Sequence, residues 1–175
     1  WWAPQGYRFR IGGRAFGVLG GAYSVDKDLR TAGVDWWPEE EPVQADVDRL
    51  GDEPLDVLLA HDAPLGAPLA SELNLPPGHP ADGPRELITQ AVERTRPRLL
   101  LHGHWHQRAS YTVAHAGGAT RVEALGCDGD MTGGDAVLLS RLVSLSGAAV
   151  RIVHYGAALR DALWLSTPGG VQHRV

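Results

Sequence analysis

The chain has 175 residues, 43% of them hydrophobic, and a formal net charge of −5, which suits one packed domain spanning residues 1–175. Its lysines and arginines are scattered, so it lacks the basic stripe that binding to duplex nucleic acid requires. A single cysteine, Cys127, excludes an internal disulfide and favours the cytoplasm, and no apolar run is long enough to predict a membrane partner.

The first predicted elements form a hairpin. Residues 7–11 and 15–19 are strand-like, and Gly12 and Gly13 between them supply the positive φ angles of a tight turn. Residues 20–42 show no steady period and are predicted to form an ordered loop. Because the chain opens without a methionine and runs directly into strand-like sequence, we expect that it was cut from a longer protein.

The middle of the chain alternates between helical and strand-like patterns. Residues 55–60 are a compact apolar run, typical of a strand buried on both faces, and His61 follows it directly. Apolar residues recur at helical spacing before Pro97, which ends that pattern. We predict a helix over 43–50, a strand over 55–60, a loop over 64–84 and a helix over 85–96.

A second buried strand, residues 98–101, leads into the sequence Leu101-His102-Gly103-His104-Trp105-His106. The rest of the chain predicts more sheet than helix, and its last twenty residues show no clear pattern. The further strands are predicted over 110–113, 120–125, 136–145 and 148–155.

Histidines follow both buried strands, at the usual position of ligands in layered α/β proteins. His102, His104 and His106 alternate around a glycine, so at least two imidazoles can converge on one point, and neutral imidazole is a common metal ligand. One such histidine would be ascribed to a surface turn, but three in five residues favour a metal site. His61 alone fits a structural role as well as a ligand, and Asp62 either orients it or faces solvent.

The segment Gly103-His104-Trp105-His106 resembles the Gly-His-x-His motif that closes the metal site of calcineurin-like metallophosphoesterases. Residues 58–64 resemble the strand-plus-histidine motif that precedes it, and the order of the motifs and the helix between them also agree. A weaker similarity to some bacterial members lies in residues 20–24 and 36–38. The resemblance covers roughly residues 7–130.

This resemblance implies an α/β fold, namely part of a four-layer α-β-β-α sandwich with mixed sheets. It implies that His61 and His104 bind one metal and His106 the other, and that all three act in catalysis. His102, just outside the motif, is expected to support these ligands. The implied activity is hydrolysis of a phosphate-ester substrate by a hydroxide held between two divalent ions such as Mn, Fe or Zn.

Three other motifs of the family have no counterpart here: Asp-x-His and Asn-His are absent from the sequence, and Gly51-Asp52 does not end an earlier strand as the family's Gly-Asp motif does. No histidine precedes His61, the only asparagine is Asn74 in the proline-rich loop, and Gly51-Asp52 precedes the His61 strand, which favours a turn there. Three imidazoles without a bridging carboxylate are expected to hold at most one ion, and weakly. We therefore expect little activity from this chain alone, and a complementing amino-terminal segment as its partner.

Two other interpretations remain open. The first is a mononuclear zinc hydrolase or hydratase, with His61, His104 and His106 on one ion and an open fourth position. The second is a non-enzymatic fragment, or one half of a split protein whose partner brings the missing carboxylates.

Overall fold

The protein is described by a computed structural model that covers residues 3–69, 76–127, 136–138, 151–155, 162–166 and 172–174. These residues contain two α-helices and ten strands that form two sheets. The helices are α1 (Gln44–Leu50) and α2 (Asp82–Thr95). The strands are β1 (Arg8–Ile11), β2 (Arg14–Leu19), β3 (Val57–Ala60), β4 (Leu99–His102), β5 (Ala109–His115), β6 (Gly118–Ala124), β7 (Ala136–Leu138), β8 (Arg151–Tyr155), β9 (Ala162–Ser166) and β10 (Gln172–Arg174).

The larger sheet is mixed and has the strand order β1-β2-β3-β4-β6-β5. Strands β2, β3, β4 and β6 run parallel, and the outer strands β1 and β5 are antiparallel to their neighbours. The carboxyl ends of parallel strands lie at the same edge of a sheet. The segments that follow β3 and β4 therefore begin side by side.

Strands β3 and β4 are buried on both faces, as their apolar sequences predict. One face of the sheet, which includes Leu58 and Leu100, packs against Val47 and Leu50 of α1 and Ile88 of α2. The residues that alternate with these, such as Leu59 and Leu101, form a second core cluster with Phe16 and Val18, and no residue of α1 or α2 belongs to it. The two helices therefore lie on one face of the sheet, which confirms an α/β fold.

The predicted hairpin is confirmed. Strands β1 and β2 pair with Ile11 opposite Arg14, and Gly12 and Gly13 have φ angles of 57° and 78° in the turn between them. Positive φ at both central residues gives a turn whose twist matches that of the flanking strands.

Both predicted helices are present, and one of them begins earlier than expected. Helix α1 ends at Leu50, and the φ of 72° at the following Gly51 suits the residue after a helix. The predicted turn at Gly51-Asp52 falls in the connection between α1 and β3. Helix α2 begins at Asp82 rather than at residue 85, so the preceding loop does not extend to Pro84. Proline is compatible with the first turn of a helix because the N–H groups there lack partners within the helix.

Strands β7 to β10 form a four-stranded antiparallel sheet. Of the strand predicted over 136–145, the structure describes β7, and the remainder lies outside the described residues. Strands β9 and β10 fall in the final segment, where the sequence shows no clear pattern. In the described part of the chain, no helix has the length and apolar character needed to cross a bilayer.

Candidate metal site

Two of the predicted ligands, His61 and His104, lie beside one another. His61 follows β3, and His104 follows β4 after Gly103, whose N–H donates a hydrogen bond to the His61 carbonyl oxygen at 3.0 Å. This bond extends the pairing of the two strands beyond their ends. The centres of the two imidazole rings are 5.0 Å apart, and the ring planes are inclined by 62°.

The ring separation suits a shared ion. With zinc–nitrogen bonds of about 2.0–2.1 Å and a tetrahedral angle between them, two coordinated imidazoles have ring centres on the order of 5 Å apart. An edge-to-face contact between two rings gives a similar distance. The observed separation is therefore compatible with both interpretations.

His104 lies in a strained turn. Its φ is 65°, and the N–H of Trp105 donates to the carbonyl oxygen of Gly103 at 2.8 Å, which closes a three-residue γ-turn around His104. This form of γ-turn is rare, and a residue other than glycine with positive φ costs on the order of 1–3 kcal/mol. Such strain persists where surrounding contacts enforce it, and it is concentrated at functional sites.

Behind the turn lies His102, which is fully buried. Its Nδ1 is 3.0 Å from the Gly103 carbonyl oxygen, and its Nε2 is 2.9 Å from the Tyr111 hydroxyl. Because a carbonyl oxygen only accepts, Nδ1 carries the proton and Nε2 accepts from the hydroxyl. Burial lowers the pKa of His102 to about 4 and raises that of Tyr111, so both groups are neutral near pH 7.

The side chain of Trp105, the residue after His104, is held by Asp62 and Arg85. Its Nε1 donates to Oδ1 of Asp62 at 2.8 Å, and Asp62 is 1% exposed, so this carboxyl group does not face solvent. Burial raises the pKa of Asp62, although the nearby His104 and the bond from Trp105 act to lower it. The guanidinium carbon of Arg85 lies 5.1 Å from the centre of the Trp105 ring. Neither partner of Trp105 was predicted, since neither lies near it in the sequence.

The third predicted ligand is not gathered with the other two. Among the described residues, no three His, Cys, Asp or Glu side chains form a group that could hold a metal ion, and His106 is exposed. The residues present therefore fit two ligands of one ion, but not a two-metal centre. The assignment of His106 to a second metal stays a prediction.

No protein-family model and no curated protein matches the chain. Among solved structures, the chain is similar to a single mutant of Vps29 from Entamoeba histolytica, with 15% sequence identity. That comparison covers 91% of this chain and 97% of the other, with a TM-score of 0.22. A TM-score of this size does not establish a shared fold.

Proposed function

We propose that the chain forms the carboxy-terminal part of a calcineurin-like metal-dependent phosphoesterase, in which His61 and His104 hold one divalent cation. The observation that carries the proposal is the separation of 5.0 Å between their ring centres, beyond the carboxyl ends of two adjacent parallel strands. Ligands commonly bind at this edge of an α/β sheet. The motifs that contain these two histidines resemble those of the family in their order and in the helix between them.

The described residues would have two tasks at this site. His61 and His104 would supply neutral nitrogen ligands, and the turn around His104 would hold its ring toward His61. The cation would act as a Lewis acid toward a phosphate ester and would lower the pKa of a bound water. Asp62 would keep Trp105, and with it the turn, in place through the hydrogen bond to the indole.

A cation held by two imidazoles needs further ligands, since zinc takes four and most other divalent ions take more. In the family, Asp-x-His, Gly-Asp and Asn-His motifs provide them, and we propose that a complementing segment brings these groups to His61 and His104. The complete four-layer sandwich and a second ion at His106 belong to that assembly. The expected location of the protein is the cytoplasm.

The mononuclear zinc alternative would need His106 beside the other two histidines. No observation favours it over the two-histidine arrangement, because His106 is exposed and forms no three-residue ligand group with them. A non-enzymatic fragment would show neither cation binding nor reconstituted hydrolysis, so the same experiment distinguishes it.

The test combines calorimetric titration with Mn²⁺ or Zn²⁺ and hydrolysis of bis-p-nitrophenyl phosphate. We expect weak binding of one cation, lost in His104→Ala and retained in His115→Ala, a control at the end of β5. Hydrolysis should appear only after addition of a chain that carries the three missing motifs. Cation binding that survives both His61→Ala and His104→Ala would contradict the proposal.

A further inference from the structure

The carbonyl oxygen of Gly103 accepts two hydrogen bonds. One comes from Trp105 N–H at 2.8 Å and closes the γ-turn around His104. The other comes from Nδ1 of the buried His102 at 3.0 Å. The orientation of this peptide group, which precedes His104, therefore depends on whether Nδ1 of His102 carries a proton and faces the carbonyl oxygen.

A residue on another strand determines which nitrogen of the His102 ring carries the proton. Tyr111 lies on β5, and β6 separates β5 from β4, so its hydroxyl reaches across one strand to Nε2 of His102 at 2.9 Å. A hydroxyl that donates to Nε2 requires the proton of the neutral imidazole to be on Nδ1. That is the tautomer in which Nδ1 can donate to Gly103.

Loss of the hydroxyl would leave Nε2 as a buried acceptor without its partner. An unsatisfied buried polar group costs about 1–3 kcal/mol, and the imidazole can avoid this cost by moving its proton to Nε2 or by rotating. Either change removes the bond from Nδ1 to Gly103. His104 could then relax from its positive φ and turn away from His61.

We infer that Tyr111 and His102 form a brace that holds the strained turn and aims His104 at His61. Tyr111 is thus a positioning residue, which touches neither the cation nor the substrate. The brace itself is independent of the proposed function. Only the expected effect of the brace on cation affinity rests on that function. Groups that orient metal-binding histidines typically contribute about 10–100-fold to metal affinity.

The variant Tyr111→Phe removes only the hydroxyl, and Thr112→Val is the matched control because it removes an exposed hydroxyl at the next position of the same strand. The first readout is NMR of the metal-free protein with ¹⁵N-labelled histidine. Wild type and control should show His102 protonated at Nδ1 and a nuclear Overhauser effect between the rings of His61 and His104. In Tyr111→Phe the tautomer should change and the effect between the rings should weaken.

The second readout is titration with Zn²⁺. Its affinity should fall about 10–100-fold in Tyr111→Phe and stay unchanged in Thr112→Val. A wild-type tautomer and ring contact in Tyr111→Phe would overturn the brace, whatever the Zn²⁺ affinity. If the NMR results hold and wild type binds no Zn²⁺, the brace stands and the proposed function fails.

Discussion

Acidification from pH 7 to pH 5 should destabilise the protein through His102. Burial lowers the pKa of this imidazole from its ordinary value of 6.5 to about 4 in the folded state, and the unfolded chain therefore binds the proton more tightly. The stability that depends on a neutral His102 is fully present above the pKa of the unfolded chain. It is lost as the pH falls from there toward the pKa of the folded protein. These two pKa values give a loss of about 2 kcal/mol between pH 7 and pH 5, and of about 3 kcal/mol once the pH is below both.

Urea unfolding of wild type, His102→Gln and His106→Gln at both pH values measures this effect. Glutamine does not titrate, so the decrease for His102→Gln should be smaller than that for wild type by about 2 kcal/mol. His106→Gln is the matched control, because it makes the same replacement at an exposed histidine. Equal decreases in wild type and His102→Gln would refute the argument that burial keeps this imidazole neutral.

Three other predictions test the turn, the core and a buried carboxylate. His104→Gly and His106→Gly should each raise the free energy of unfolding by about 1 kcal/mol, because glycine adopts positive φ without strain. In calorimetric titration, only His104→Gly should abolish cation binding. A lower free energy of unfolding in both variants would contradict the argument that the backbone is strained at these two residues. Gly17→Ala should lower the free energy of unfolding by about 1–3 kcal/mol in urea, since its Cβ would lie 2.5 Å from a Leu55 methyl; an unchanged midpoint would contradict this. Burial acts to raise the pKa of Glu123, but hydrogen bonds from two arginines and a serine outweigh it and lower that pKa. Its contribution is therefore present above the unfolded pKa and is lost as the pH falls through the folded value, and acid unfolding of Glu123→Gln should lack this component.

The sequence was most informative where local chemistry decides the structure. The hairpin at Gly12 and Gly13 and the buried strands β3 and β4 follow from turn geometry and from apolar runs that only a two-sided core accepts. The start of α2 was misplaced because Pro84 was assigned to the proline-rich loop, although it lies in the first turn of the helix. Strands β9 and β10 were missed because short segments carry little periodicity.

The candidate site was likewise predicted only in part. The family resemblance implied that His61 and His104 meet at one metal, and their rings do lie together. The alternation of His102, His104 and His106 suggested that at least two of these imidazoles converge on one point. Positive φ at His104 and His106 breaks the alternation of side chains that a strand would give. The contacts of Tyr111 with His102, and of Asp62 with Trp105, depend on tertiary packing and leave no local pattern in the sequence.

The proposed function depends on binding of the same cation by His61 and His104. X-ray absorption at the zinc edge of the Zn²⁺-loaded chain tests it most directly, because the spectrum reports how many imidazoles surround the metal. We predict two imidazole nitrogens at about 2.0–2.1 Å in wild type and the loss of this imidazole signal in either His61→Ala or His104→Ala. A wild-type spectrum without imidazole, or one that neither substitution changes, would contradict the prediction.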